Sequence, residues 1–181
     1  MASILTEIHS RRYGLGPLNE RIQNYGTGPQ SGYQAVDGSY YSLITSAQVL
    51  ALFATPIAVM PAPGAGLAII PRMVLVHKPA GTAYAAIAAG EDLVLKYTNA
   101  AGAQCSGVIE TTGFLDQATA QTRYVGMQAS TGATASDVTP AANAAVVMHL
   151  LVGEVTTGTS ALHVRVWYDV VPTVFTGPAM A

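Results

Sequence analysis

From Ser42 onward the chain is a succession of short apolar runs separated by turns of Gly, Thr, Ala, Asn and Pro. The alternation is clearest near the end. Leu162, Val164, Val166 and Tyr168 share one parity, and His163, Arg165, Trp167 and Asp169 share the other. This is the period-two signature of a strand with one buried face. Leu93, Leu95 and Tyr97 alternate in the same way with Val94, Lys96 and Thr98. Further strands are predicted over Ala47–Phe53, Ile57–Met60, Ala68–His77, Thr82–Ile87, Gln104–Ile109, Thr122–Met127 and Ala144–Val152. A corner or single helical turn is expected over Gly113–Gln117, and a long polar loop over Ser130–Ala142.

The pivot of the pattern is Thr55–Lys78. There Ile57–Met60 meets Pro61-Ala-Pro-Gly-Ala-Gly66 before a second, longer apolar run. Pro61 and Pro63 fix φ and remove two donors, and Gly64 and Gly66 can take positive φ. A hairpin or a corner between sheets follows. Pro71, inside the long run, predicts a bulge or an edge position. About eight or nine short strands at intervals near a dozen residues, with no helix long enough for a parallel crossover, predict an all-β fold. The expected architecture is an antiparallel β-sandwich or jelly roll.

Residues 1–41 differ in character. They carry six of the 18 charged residues and five of the nine tyrosines: Tyr13, Tyr25, Tyr33, Tyr40 and Tyr41. Ser3 can cap a short helix over Ile4–Arg11, and Pro17 with Gly26 can bracket another turn or two. Glycines between and after them preclude long regular structure. The segment cannot build a core of its own, so it reads as an extended, partly helical N-terminal arm ahead of a β domain spanning residues 42–181. Tyrosine buries a large area at low entropic cost. Ile4, Leu5, Ile8, Tyr13, Leu15, Tyr25, Tyr33, Tyr40 and Tyr41 are therefore candidate contact residues. Trp167, on the outward parity of the last strand, joins them as an interface residue; its other reading is coverage by the chain's own arm. Deleting residues 1–41 is expected to leave the β domain folded.

Composition sharpens this picture. Half of the 181 residues are hydrophobic, yet only 10% are charged, against about 25% in a typical soluble domain. Alanine alone supplies 30 positions. Such a surface favours self-association, so an oligomer is expected. The net charge of −2 and the absence of a basic run argue against nucleic acid as a partner. The densest apolar stretch is broken by Pro56, Pro61, Pro63 and Pro71, so no membrane span is expected. Acid and histidine within MASILTEIHS do not read as a signal peptide, and synthesis and folding in a cytoplasm are expected. The single cysteine, Cys105, excludes an intrachain disulfide.

Catalytic motifs are missing: there is no G-x-S-x-G and no HExxH. Gly64-Ala-Gly66 lacks the third glycine of a dinucleotide fingerprint. Glu91-Asp92 reads as a solvated turn. His149 and His163 become neighbours only if the last two strands pair, and two satisfied histidines on a sheet are expected there in preference to a metal site.

The segments TPIAVMPAPGAG (55–66), LVLKYTN (93–99), GFLDQA (113–118), AANAAVVMHLLVGEVTTG (141–158) and ALHVRVWYDVV (161–171) resemble small β-sandwich virion proteins of tailed bacteriophages, of the capsid decoration or cement type. The resemblance covers roughly residues 45–171 and leaves the arm outside. It implies a structural viral protein of the particle, without enzymatic activity, catalytic residues, metal or cofactor. It also implies synthesis in a bacterial host cytoplasm and a final place in the virion. The first expectation is a trimer that binds the major capsid protein on the outer head surface. The second is a tail-fibre or tail-tip module contacting the host surface, although the 130–142 loop lacks the aromatic residues that glycan binding would use. An enzyme on a jelly roll is a distant third, because no carboxylate pair is convincing.

Overall fold

The computed structural model describes residues 24–25, 32–35, 38–126 and 139–173. Two short strands, β1 (Asn24–Tyr25) and β2 (Gly32–Ala35), precede β3 (Ser39–Ile44). A one-turn helix α1 (Ser46–Val49) leads to β4 (Ile57–Met60) and β5 (Leu67–Lys78). Then come β6 (Tyr84–Ala85), β7 (Asp92–Tyr97), β8 (Ile109–Glu110) and β9 (Gln121–Gly126). The described chain ends with β10 (Val146–Leu150), β11 (Thr156–Thr157) and β12 (Leu162–Pro172). The fold is mostly β, and every named strand pair is antiparallel. One sheet runs β1-β2-β3-β12-β5-β9, a second β4-β10-β7-β8, and β11 with β6 forms a small third.

The two main sheets contribute to one hydrophobic cluster. From the first come Tyr40, Ile44, Val74, Val76, Leu162, Val164 and Val166; from the second come Val59, Leu93, Leu95, Tyr97, Val146, Met148 and Leu150. The alternation read in the sequence is thus the core face, with Leu162, Val164 and Val166 fully buried and Tyr168 packed at the margin. Hydrogen bonds tie the sheets across this cluster. Tyr97 Oη on β7 donates to the Ile69 carbonyl on β5 at 2.7 Å, and Ser42 Oγ on β3 donates to the Val59 carbonyl on β4 at 3.0 Å. Each satisfies a buried polar group that would otherwise cost about 1–3 kcal/mol.

The 61–66 turn is a corner between sheets, carrying the chain from β4 in one to β5 in the other. Gly64 (φ +106°) and Gly66 (φ +75°) supply the positive φ. Pro71 sits in an interior strand, yet its missing donor is harmless: β9 pairs with β5 only from Met73 onward, so no ladder partner faces that side. The expected irregularity is present, with register shifting between Trp167 and Tyr168 as their partners jump from Met73 to Pro71. After β7, a Cβ on Gly102 would lie 1.6 Å from the Tyr97 carbonyl oxygen, so the turn that begins at Asn99 accepts only glycine there.

Several expectations need correction. Ala47–Phe53 is not a strand. Thr45 Oγ1 accepts from the Gln48 amide, and the Gln48 side chain accepts from the Thr45 amide. This capping box nucleates α1 in place of an extended run. The boundary drawn between residues 41 and 42 falls inside β3, whose Ser39, Tyr40 and Tyr41 pair with Trp167, Val166 and Arg165 of β12. Asn24 and Tyr25, read as the end of a helical turn, are a strand. Glu91 is not in a solvated turn: it is 1% exposed and its carboxylate accepts from the Val152 amide at 3.1 Å. The helix expected over Ile4–Arg11 and most of the 130–142 loop lie outside the described residues.

Candidate interaction surface

Strand β12 is flanked by β3 and β5, and β9 continues the sheet beyond β5. Its outward residues therefore sit at the centre of a broad face. Register defines three rows across it: Leu43, His163, His77 and Thr122; Tyr41, Arg165, Leu75 and Tyr124; Ser39, Trp167, Met73 and Gly126. On the other flank, β2 places Tyr33 opposite Tyr41 and Ala35 opposite Ser39, so the backbone of the arm prolongs two of these rows.

Polar and aromatic groups on this face hold one another. The Arg165 guanidinium lies over the Trp167 ring, 4.8 Å from its centre, while Nε donates to Ser39 Oγ at 2.9 Å. A cation above an indole is worth about 0.5–1 kcal/mol at an accessible site and keeps both side chains in one geometry. Tyr41 Oη bonds His163 Nδ1, and His77 Nδ1 bonds Thr122 Oγ1 at 2.8 Å. The His77 and His163 rings stand 6.0 Å apart. Tyr124 is 72% exposed. No carboxylate belongs to these three rows. Tyr, Trp and Arg are the residues that interfaces favour, which gives this face its functional interest.

The residues expected to make contacts scatter in the structure. Trp167 and Tyr41 are half-buried on this face. Tyr40 points the other way; at 5% exposure it is a core residue, because strand parity separates it from Tyr41. Tyr25 lies in β1 and Tyr33 in β2. Ile4, Leu5, Ile8, Tyr13 and Leu15 lie outside the described residues. His149 and His163 are not neighbours, since β10 and β12 belong to different sheets. The cross-strand partner of His163 is instead His77 on β5. Arg165, which shares the outward parity of Trp167, lies over its ring.

His149 occupies a separate polar site. It is 4% exposed, stacks on Phe53, and donates from Nε2 to the Phe53 carbonyl at 3.1 Å. That bond leaves Nδ1 as a bare acceptor, buried without a partner. Protonation would place a charge and an unmatched donor there. Burial, and secondarily the Lys96 cation, push the His149 pKa below 6.5, against weaker opposing effects from the Phe53 carbonyl and Glu154. The unfolded chain therefore binds the extra proton first, and this contribution to stability falls as pH drops through 6.5 toward the lower folded pKa. Urea midpoints of the native protein should decline between neutral and mildly acidic pH more steeply than those of His149→Gln. Parallel pH profiles would contradict this account of His149.

Among the described residues, no group of three or more His, Cys, Asp or Glu side chains could hold a metal ion. No protein-family model matches the chain, and no curated protein or solved structure shows significant similarity to it.

Proposed function

We propose that the chain is a non-enzymatic structural protein of a tailed-phage particle, a decoration protein that assembles as a trimer on the major capsid protein and stabilises the outer head. The observation that carries this reading is the strand order. Counting β3, β4, β5, β7, β8, β9, β10 and β12 as one to eight, the first sheet runs 1-8-3-6 and the second 2-7-4-5. First pairs with last, second with seventh, third with sixth and fourth with fifth. That nesting supports a jelly roll, the double-sheet architecture of many viral capsid domains. Folds host many functions, so the order alone is an analogy. It gains weight from the sparse charge of the chain and from the Tyr41, Arg165, Trp167 and Tyr124 face that the arm strands border.

A tagged chain on intact particles, visualised with gold, should label heads. Gold confined to tails would overturn the decoration reading in favour of a tail-tip module. Sedimentation of the purified protein should give three times the 18.7 kDa chain mass, and a single monomeric species at micromolar concentration would remove the trimer.

A further inference from the structure

We propose that His77 and His163 form a binding site for a divalent transition-metal ion on the outer face of the six-stranded sheet. The two residues are direct cross-strand partners of β5 and β12, on the same face, and both are half-buried. Their rings are tilted by 50° with centres 6.0 Å apart. An imidazole nitrogen bonds zinc at about 2.0–2.1 Å and lies about 1.2 Å from its ring centre, so two rings sharing an ion have centres no more than about 6.5 Å apart. That limit belongs to a linear arrangement; tetrahedral coordination brings the centres to about 5.2 Å, so the observed 6.0 Å asks the two rings to close by about 0.8 Å through small side-chain rotations.

The surrounding hydroxyls set the chemistry. Each ring uses Nδ1 for a hydrogen bond, His77 to Thr122 Oγ1 and His163 to Tyr41 Oη. A hydroxyl oxygen can accept from Nδ1–H, and that arrangement selects the tautomer whose lone pair is on Nε2. Metal-bound histidines are characteristically oriented by such a partner on the other nitrogen. Two pre-oriented Nε2 atoms on neighbouring strands of a rigid sheet form a two-point clamp. Two protein ligands leave the remaining coordination positions to water or to a group from another molecule. An imidazole pair without a carboxylate suits Zn²⁺, Ni²⁺ and Cu²⁺, with Cu²⁺ the tightest of these, and does not suit Ca²⁺ or Mg²⁺.

The test is calorimetric titration of the full chain, purified without a histidine tag, with Zn²⁺ and separately with Cu²⁺. Saturable binding near one ion per chain is expected, tighter for Cu²⁺, with no response to Mg²⁺. His77→Ala and His163→Ala should each abolish it, and His149→Gln should leave it unchanged. Thr122→Val retains both imidazoles but loses the orienting hydroxyl, and should weaken binding by about 10–100-fold. Circular dichroism checks that each variant is folded; His77→Gln and His163→Gln replace any alanine variant that is not. Binding that survives when His77→Ala and His163→Ala are combined in one chain, or no saturable binding of either ion at millimolar concentration, would overturn the proposal.

Discussion

Val166→Asp is expected to abolish folding, while Arg165→Ala, one position away, yields a folded protein. Val166 is fully buried at the centre of β12, between Tyr40 of β3 and Val74 of β5. A carboxylate there has no cation within the hydrophobic cluster to pair with. Burying it charged costs several kcal/mol and burying it protonated still strands a polar group, against a total stability of about 5–15 kcal/mol for an ordinary domain. Arg165 points outward. Its loss removes one hydrogen bond to Ser39 and the contact with Trp167, together about 1–2 kcal/mol. Soluble yield and urea unfolding of the two variants make the comparison. If both melt alike, the face assignment is off by one residue, since a one-residue slip exchanges the two faces of a strand.

The second large effect concerns where the arm ends. Removing residues 1–37 should give a folded protein, whereas removing 1–41 should not, contrary to the boundary the sequence suggests. The longer deletion takes Ser39, Tyr40 and Tyr41, half of β3, away from β12. Tyr40 is the decisive loss: truncating a buried aromatic of this size costs about 3–5 kcal/mol, before the broken ladder is counted. Thermal melts of the two truncations, run side by side, check this. The shorter deletion then becomes the proper probe of attachment. If it folds but no longer joins particles, residues 1–37 carry the contact; if it joins undiminished, the sheet face around Trp167 and Tyr124 suffices.

What was readable in the sequence was local periodicity. The alternation in Leu162–Tyr168 gave the buried parity correctly, because a strand with one face in a core leaves no other pattern available; in Leu93–Tyr97 it picked out the core residues, but Val94 of the other parity is buried as well, at 0% exposure. The Pro61–Gly66 corner was legible for an equally local reason, since Pro and Gly restrict or widen φ whatever surrounds them. The capping box at Thr45 was also present as Thr-Ser-Ala-Gln and was missed, because the apolar Ala47–Phe53 run outweighed it. Pairing was a different matter. No residue of β12 announces that it lies between β3 and β5, so the meeting of His163 with His77, at a separation of 86 positions (163 − 77), could not be read. Nor could the burial of Glu91, which depends on the Val152 amide arriving from a distant part of the chain.

Cys105 packs in the core at 0% exposure, and burial pushes its thiol pKa up to about 12. The reactive species in alkylation is the thiolate, which is scarce at neutral pH when the pKa is that high and sterically screened besides. The folded protein is thus expected to stay silent toward maleimide reagents. A cysteine introduced at Tyr124 would be the single responsive thiol, and a fluorophore or heavy-atom cluster could be attached there without first engineering anything away.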